Sequence, residues 1–193
     1  MNVINQKLAL EKLNIGLPLI FQTDTLPAIG CLPNFSEIIY KIKKREKNKP
    51  LILMGAENHQ FNEFVHKSAL DDYKYMASKY WPGSLTMIVP ISEKSKSLFS
   101  SNNLTLGLRI PNSMMAKFLL EKSGPLLTSS ANLSGFPTAT SAEDISIDLP
   151  NVDILGPIPW ENCSGKASTI ISWVNHGEWK MIREGQVLIP GIG

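Results

Sequence analysis

The chain has 193 residues, 43% of them hydrophobic and 19% charged, and a net charge of +2. A chain of that length and apolar content buries a core of its own, which excludes intrinsic disorder, collagen and coiled coil. The near balance of 19 basic against 17 acidic residues is also too weak for a general nucleic-acid coat.

The N-terminal MNVINQKLALEKLNIG has neither the charged nor the apolar part of a signal peptide, and no apolar run approaches the ~20 residues of a membrane span. A cytoplasmic chain without membrane contact is expected. Residues 3–13 carry Leu8, Leu10 and Leu13 among polar positions, which predicts a short helix, and Leu17–Phe21 reads as a buried strand. Asn34 is placed to cap a helix with the apolar stripe Phe35, Ile38, Ile39 and Ile42. Leu51–Met54 follows as a strand. Ser68 and Asp71 have capping-box spacing at the head of a helix reaching about Tyr80, and Pro82-Gly83 breaks the chain before a strand at Leu85–Val89.

Residues 92–103 are rich in Ser and Asn and read as a loop. Thr105–Ile110 is a predicted strand, Ser113–Lys122 a helix and Leu126–Ser129 a strand. Ser141 and Asp144 repeat the capping-box spacing before a short helix. Residues 150–166 hold three prolines and two glycines and read as a long surface connection; Thr169–Val174, Trp179–Ile182 and Gln186–Leu188 read as closing strands. Strands and helices mix without strict alternation, which points to an α/β (α+β) fold with a mixed sheet flanked by helices.

Several motifs are absent. No GxGxxG follows a strand and no GxSxG elbow occurs. Gly165-Lys166-Ala167-Ser168 is not a phosphate-binding loop, because Trp160 stands where its first Gly belongs and Ala167 where its Ser or Thr does. Cys31 and Cys163 are far apart, and His59 and His66 have no third ligand, so no metal site is expected. The run KIKKREKNK at Lys41–Lys49 has six basic residues and one acid, and suits either a solvated helix end or a clamp for phosphates. Arg109 lies in the apolar strand LTLGLRIP. Burying it unpaired is costly, so it needs a partner: a structural carboxylate, or the carboxylate or phosphate of a ligand. PLLTSSANLSG at 125–135 and QTDTLPAIG at 22–30 run from strands into segments rich in small hydroxyls, fit for turns and caps or for close approach of a ligand.

Taken in order, QTDT (22–25), KKRxxxKPL (43–51), WPGSLT (81–86), LRIP (108–111), SSANLSG (129–135), GKAST (165–169) and IREG (182–185) resemble the YrdC/Sua5 family of L-threonylcarbamoyladenylate synthases. The resemblance covers about residues 15–188, and the length is similar to the family's short form, so a single YrdC-like domain over 1–193 is expected. It implies a twisted mixed sheet with a concave, positively lined cavity. It implies synthesis of threonylcarbamoyl-AMP and pyrophosphate from L-threonine, bicarbonate and ATP with Mg2+, for the t6A modification of tRNA. It places Lys43 and Arg45 on the ATP phosphates with Lys49 nearby, and Thr105, Ser130, Thr138 and Arg183 on the nucleotide side. Thr23, Arg109, Thr128 and Ser168 then surround threonine, with Arg109 on its carboxylate; Lys43, Arg45 and Arg109 are the implied catalytic residues. Further candidate partners are tRNA and a threonylcarbamoyl-transfer complex.

The chain departs from the family pattern at several places. Gln22 replaces a Pro, Pro27 a Tyr, Ala28 a Gly, Glu46 a Pro, Lys49 an Asn, Met54 a His and Ala167 a Glu. Several of these fall on the implied threonine side and the phosphate-facing residues survive better, so nucleotide binding is the firmer expectation. Two other readings stand beside the synthase. One is a diverged paralogue acting on another carbamoyl or acyl adenylate. The other is a non-enzymatic RNA-binding module, with salt-sensitive RNA binding and no ATP turnover.

Overall fold

The computed structural model describes residues 2–98, 104–160 and 163–192. Asn5 caps the first helix by accepting from the Leu8 N–H, so α1 starts at Gln6 (Gln6–Asn14) and the two residues before the cap are freed to form β1 (Val3–Ile4). β2 (Leu19–Phe21) follows, then a strand not expected from the sequence, β3 (Ala28–Cys31). α2 (Glu37–Lys43) begins later than its stripe suggested, because Asn34 lies in a 3-10 turn over Pro33–Phe35 and leaves Phe35 partly exposed. Next come β4 (Ile52–Met54), α3 (Leu70–Tyr80) and β5 (Leu85–Pro90). Ser68 does not cap α3; its N–H and hydroxyl bond instead to the His66 ring. Glu93–Leu98 forms a 3-10 turn, and the rest of the expected 92–103 loop, residues 99–103, lies outside the described residues.

The chain continues through β6 (Thr105–Arg109), α4 (Met114–Ser123), β7 (Leu126–Ser130) and α5 (Ala142–Asp148), where Ser141 does cap the Asp144 N–H. The expected surface connection at 150–166 instead contains β8 (Asp153–Leu155), with Ile154 fully buried. β9 (Thr169–Asn175) and β10 (Glu178–Arg183) complete the sheet. Gln186–Leu188 is not a strand. It folds over the start of β9, with the Gln186 N–H on the Ala167 carbonyl and the Thr169 hydroxyl on the Val187 carbonyl.

Among the described residues the strands form one ten-stranded sheet, in the order β1-β8-β2-β3-β7-β4-β6-β5-β9-β10. It is mixed, as expected: β8 runs parallel to β1 and β2, β4 to β6 and β5 to β9, and the other pairs are antiparallel. Alternation along each strand sorts side chains to two faces. Leu53, Leu85, Met87, Leu106, Leu108 and Leu127 lie on one face, in a core closed by Ile39 of α2, Tyr73 and Met76 of α3, and Ile145 of α5. On the other face α1 and α4 bring Ala9, Leu13, Leu119 and Leu120 onto Leu19, Phe21, Ala28 and Leu126. That cover is centred on the β1-to-β7 half, with Met54 of β4 at its edge. Beyond it the second face stays open.

The β9–β10 hairpin is tied to the body through Asp72 of α3. Its carboxylate accepts from Trp173 Nε1 (2.8 Å) and the Gly177 N–H (2.9 Å), with His176 Nδ1 at 3.4 Å. Burial raises its pKa, but those donors outweigh burial and hold it below the ordinary 3.8. The pair therefore stabilises the fold at neutral pH, and that contribution is lost as pH falls below about 3.8. Replacing Asp72 by Ala should cost about 1–3 kcal/mol, the range for bonds to a charged acceptor. Amide hydrogen exchange should accelerate over residues 175–183, while exchange in β4, β6 and β7 holds.

Candidate active site

The open half of the second sheet face forms a cavity of about 600 Å³. Its floor draws on four strands: Thr105, Gly107 and Arg109 from β6, Thr86 and Ile88 from β5, and Ile52 and Met54 from β4 follow the two-residue strand period, while β7 contributes Thr128, Ser129 and Ser130. Ile182 and Arg183 of β10 both line it although they are consecutive. The register explains this. Met181 pairs with Ile171 and Arg183 with Ile170, so Ile182 is an extra residue, a bulge that turns its neighbour to the same side.

Nine of the expected site residues line this cavity: Arg45, Lys49, Thr105, Arg109, Thr128, Ser130, Thr138, Ser168 and Arg183. Among the described residues its charged side chains are all basic, namely Arg45, Lys49, Arg109 and Arg183, and no carboxylate lines it. Burial pushes the guanidinium pKa values of Arg45, Arg109 and Arg183 below the ordinary arginine value; Asp24 works against this at Arg109 and Tyr40 at Arg45. Partly desolvated cations facing one space favour a polyanion there.

Arg109 is 3% exposed. Nε donates to the Gly83 carbonyl (3.2 Å), Nη1 to Thr25 Oγ1 (2.7 Å) and Nη2 to Asp24 Oδ1 (2.7 Å). A guanidinium has five N–H groups, so one remains on each terminal nitrogen. The two sequence readings of Arg109 are therefore compatible: a structural ion pair is present, and donors are left for a ligand. The contact also explains the WPG turn. The Trp81 indole donates to Leu85 O and rests against Phe61 and Tyr73, and a Cβ on Gly83 would fall 2.6 Å from Tyr80 O, so only Gly lets this backbone turn toward Arg109.

Arg183 donates to the Ser168 carbonyl from Nε (3.1 Å) and Nη2 (2.8 Å). The Ser168 hydroxyl bonds Thr86 Oγ1 at 2.9 Å, and the Thr128 hydroxyl donates to Ile52 O. Arg45 donates to the carbonyls of Lys49 and Pro50, which curls the basic segment round its own side chain after the left-handed turn at Lys44.

Two expected residues are placed differently. Lys43 does not reach the cavity. It is 1% exposed, and its ammonium is caged by the Ser130 and Asn132 carbonyls and Asn132 Oδ1, while its own carbonyl accepts from the Ser134 N–H. As the last residue of α2, it is carried under the 130–134 loop rather than toward solvent. Thr23 is fully buried, its hydroxyl donating to Leu26 O; it lines a neighbouring cavity with Gln22 and Asp24. Conversely, the site contains three residues to which the sequence assigned no role. Asp24 and Thr25 hold Arg109, and Asn132 helps hold Lys43. Asp24 and Thr25 stand in the QTDT motif, but a partner 85 residues away leaves no local signal.

Burial, aided by Arg45, pulls the Lys43 pKa from 10.5 down to about 8. Between those values the unfolded chain binds more protons than the folded one, so stability from this group rises with pH from about 8 to 10.5. Lys43→Met should remove that rise and leave the Asn132 carbonyl without its donor, while the Ser130 carbonyl keeps the Asn132 N–H, costing about 1–3 kcal/mol in chemical unfolding. Arg45→Ala should instead leave stability close to wild type and weaken ATP binding by about 1–3 kcal/mol.

The Sua5/YciO/YrdC family model, described as Telomere recombination, matches residues 11–185. The chain belongs to the Sua5/YciO/YrdC family. Threonylcarbamoyl-AMP synthase of Bacillus subtilis (strain 168) is 33% identical over 134 residues, which are 67% of this chain and 38% of that protein. The protein of the same name from Buchnera aphidicola subsp. Baizongia pistaciae is 27% identical over 186 residues, 92% of this chain and 100% of its own. Among solved structures, Pyrococcus abyssi Sua5 complexed with L-threonine superposes with a TM-score of 0.84 at 27% identity, over 96% of this chain and 58% of that one. The chain thus spans about two fifths of the Bacillus relative and the full length of the Buchnera one. Of the positions where it departs from the pattern of the Sua5/YciO/YrdC family, Pro27, Ala28, Lys49, Met54 and Ala167 all line the cavity.

Proposed function

We propose that the protein is an L-threonylcarbamoyladenylate synthase, a nucleotidyltransferase that makes threonylcarbamoyl-AMP and pyrophosphate from L-threonine, bicarbonate and ATP in the cytoplasm, for the t6A modification of tRNA. The observation that carries this reading is a cavity with four basic side chains, a row of hydroxyls and, among the described residues, no carboxylate. The names of the relatives support the same reading.

The chemistry asks little of a strong base. The threonine amine and bicarbonate condense to a carbamate with loss of water. A carbamate oxygen then attacks the α-phosphorus, and the bond to the β-phosphate oxygen breaks to release pyrophosphate. Two anionic reactants must be brought together, so the protein's part is positioning and charge neutralisation. Arg45 and Lys49, on the β4 side, and Arg183, on the β10 side, face the triphosphate. The two remaining N–H groups of Arg109 take the threonine carboxylate. Lys43 acts at one remove, by holding the loop that presents Ser130. With no carboxylate among the described wall residues, magnesium would come in on ATP, held by phosphates and water, as part of the substrate.

A second reading is favoured by one observation: Pro27, Ala28, Met54 and Ala167 reshape the wall that would meet the amino acid. It makes the protein a paralogue forming another carbamoyl or acyl adenylate. One assay decides. The protein is incubated with MgATP, labelled bicarbonate and a panel of amino acids, and the adenylates are read by mass spectrometry. Labelled threonylcarbamoyl-AMP that forms only when threonine, bicarbonate and ATP are all present is the expected result. ATP cleavage that ignores threonine and incorporates no label would transfer the case to the paralogue.

A further inference from the structure

A second cavity, of about 680 Å³, adjoins the first at the bend formed by Asp24 and Thr25. Its volume is that of a small-molecule site. Its chemistry is the reverse of the first. Among the described residues Asp24 is the sole charged one lining it, and no basic side chain does. Asp24 Oδ1 is taken by Arg109, but among the described residues no donor reaches Oδ2. Gln6 donates one amide N–H to the Phe118 carbonyl, and its oxygen remains an acceptor. Trp160 spends its indole N–H on Leu155 O, so the ring offers its apolar body rather than a donor. Beside it, Phe118 and Met114 on α4 are 52% and 89% exposed. The amides of Gln6, Gln22 and Asn112 can donate or accept, so the free carboxylate oxygen and the two aromatic rings set the preference, which is for an N–H-rich cation on an apolar body.

We propose that this cavity binds a small organic cation, an ammonium or guanidinium carried on an apolar or aromatic body, with its charge on Asp24 and its body on Phe118 and Trp160. The site is coupled to the first cavity. A cation on Oδ2 draws Asp24 charge away from Arg109, and Arg109 then holds a ligand carboxylate more tightly; by reciprocity the carboxylate tightens the cation by the same factor. The coupling rests on the proposed role of Arg109. The binding itself does not.

The test uses the whole protein without ATP or threonine, with amide chemical shifts followed by NMR. The probes are 2-phenylethylammonium, its neutral isostere 2-phenylethanol, and 3-phenylpropionate. The ammonium should shift amides at 22–24 and 113–118, and bind about tenfold or more tighter than the alcohol, with the carboxylate weakest. Asp24→Asn should erase the preference for ammonium over alcohol, and Phe118→Ala, at an exposed position, should weaken the ammonium several-fold. If Asp24→Asn fails to fold, Phe118→Ala and the alcohol decide. Alcohol binding as tight as ammonium binding, or shifts absent from both segments, overturns the site. Adding threonine should tighten the ammonium; no tightening, with the binding results intact, overturns the coupling alone, and the synthase reading is judged separately by its own assay.

Discussion

Arg109→Lys is expected to lower threonine affinity by about 1.5–3 kcal/mol, roughly ten- to a hundredfold or more, while ATP affinity without threonine changes little. Lysine keeps the charge but has no fork. A single ammonium can meet Asp24, yet it cannot also span Thr25 Oγ1 and the Gly83 carbonyl and still present two N–H groups to a ligand. The melting temperature should fall as well, since those contacts tie the 22–25 bend to the turn after α3. Arg109→Ala should be harsher, because it strands Asp24 close to the core without a partner. Breaking a buried pair in this way costs about 3–5 kcal/mol. Isothermal titration with threonine and with ATP, beside thermal unfolding, separates the two roles. Normal threonine affinity in a destabilised Arg109→Lys protein would leave Arg109 with a structural task only.

Gly185→Ala should have a comparable effect for an unrelated reason. A Cβ there would sit 2.3 Å from Ser168 C and Thr169 N and 2.5 Å from Ala167 O. All three are backbone atoms, so no rotamer change relieves the clash. The Gly185 N–H also donates to Thr169 Oγ1 at 3.0 Å, fixing the close approach. The 183–187 segment must move off the start of β9, and Arg183 loses its two hydrogen bonds to the Ser168 carbonyl. Overpacking of this kind costs about 1–3 kcal/mol, and more where nothing yields. Both stability and nucleotide affinity should drop, measured by chemical unfolding and by titration with ATP. An alanine variant with wild-type values in both would show that the approach is not required.

The sequence made the cavity legible where its residues follow a strand period or a basic run. Thr105 and Arg109 alternate with leucines, and the apolar partners on the other face mark β6 without ambiguity. Lys43 was expected on the phosphates, because spacing along the chain does not reveal that the last turn of α2 points its side chain beneath the 130–134 loop. β3 was hidden by Pro27 before it and Gly30 within it, two strand breakers tolerated where Pro27 precedes the ladder and Gly30 meets Phe21 and Thr128. β8 was hidden by the prolines that follow it. Its three residues gain their stability from parallel pairing with β1 and β2 on both sides, a property of the assembled sheet rather than of the segment.

The bulge at Ile182 has a consequence for the sheet's rim. β10 is an outermost strand, and outermost strands offer unpaired backbone groups to other chains. Its register slips twice within six residues, at Glu178/Trp179 and at Met181/Arg183, and Lys180 lies between the two slips. An incoming strand therefore finds no straight, evenly spaced ladder to extend. The irregularity that turns Arg183 toward the cavity also guards the protein against edge-to-edge aggregation, so a variant that deletes Ile182 to straighten β10 should polymerise more readily as well as misdirect the arginine.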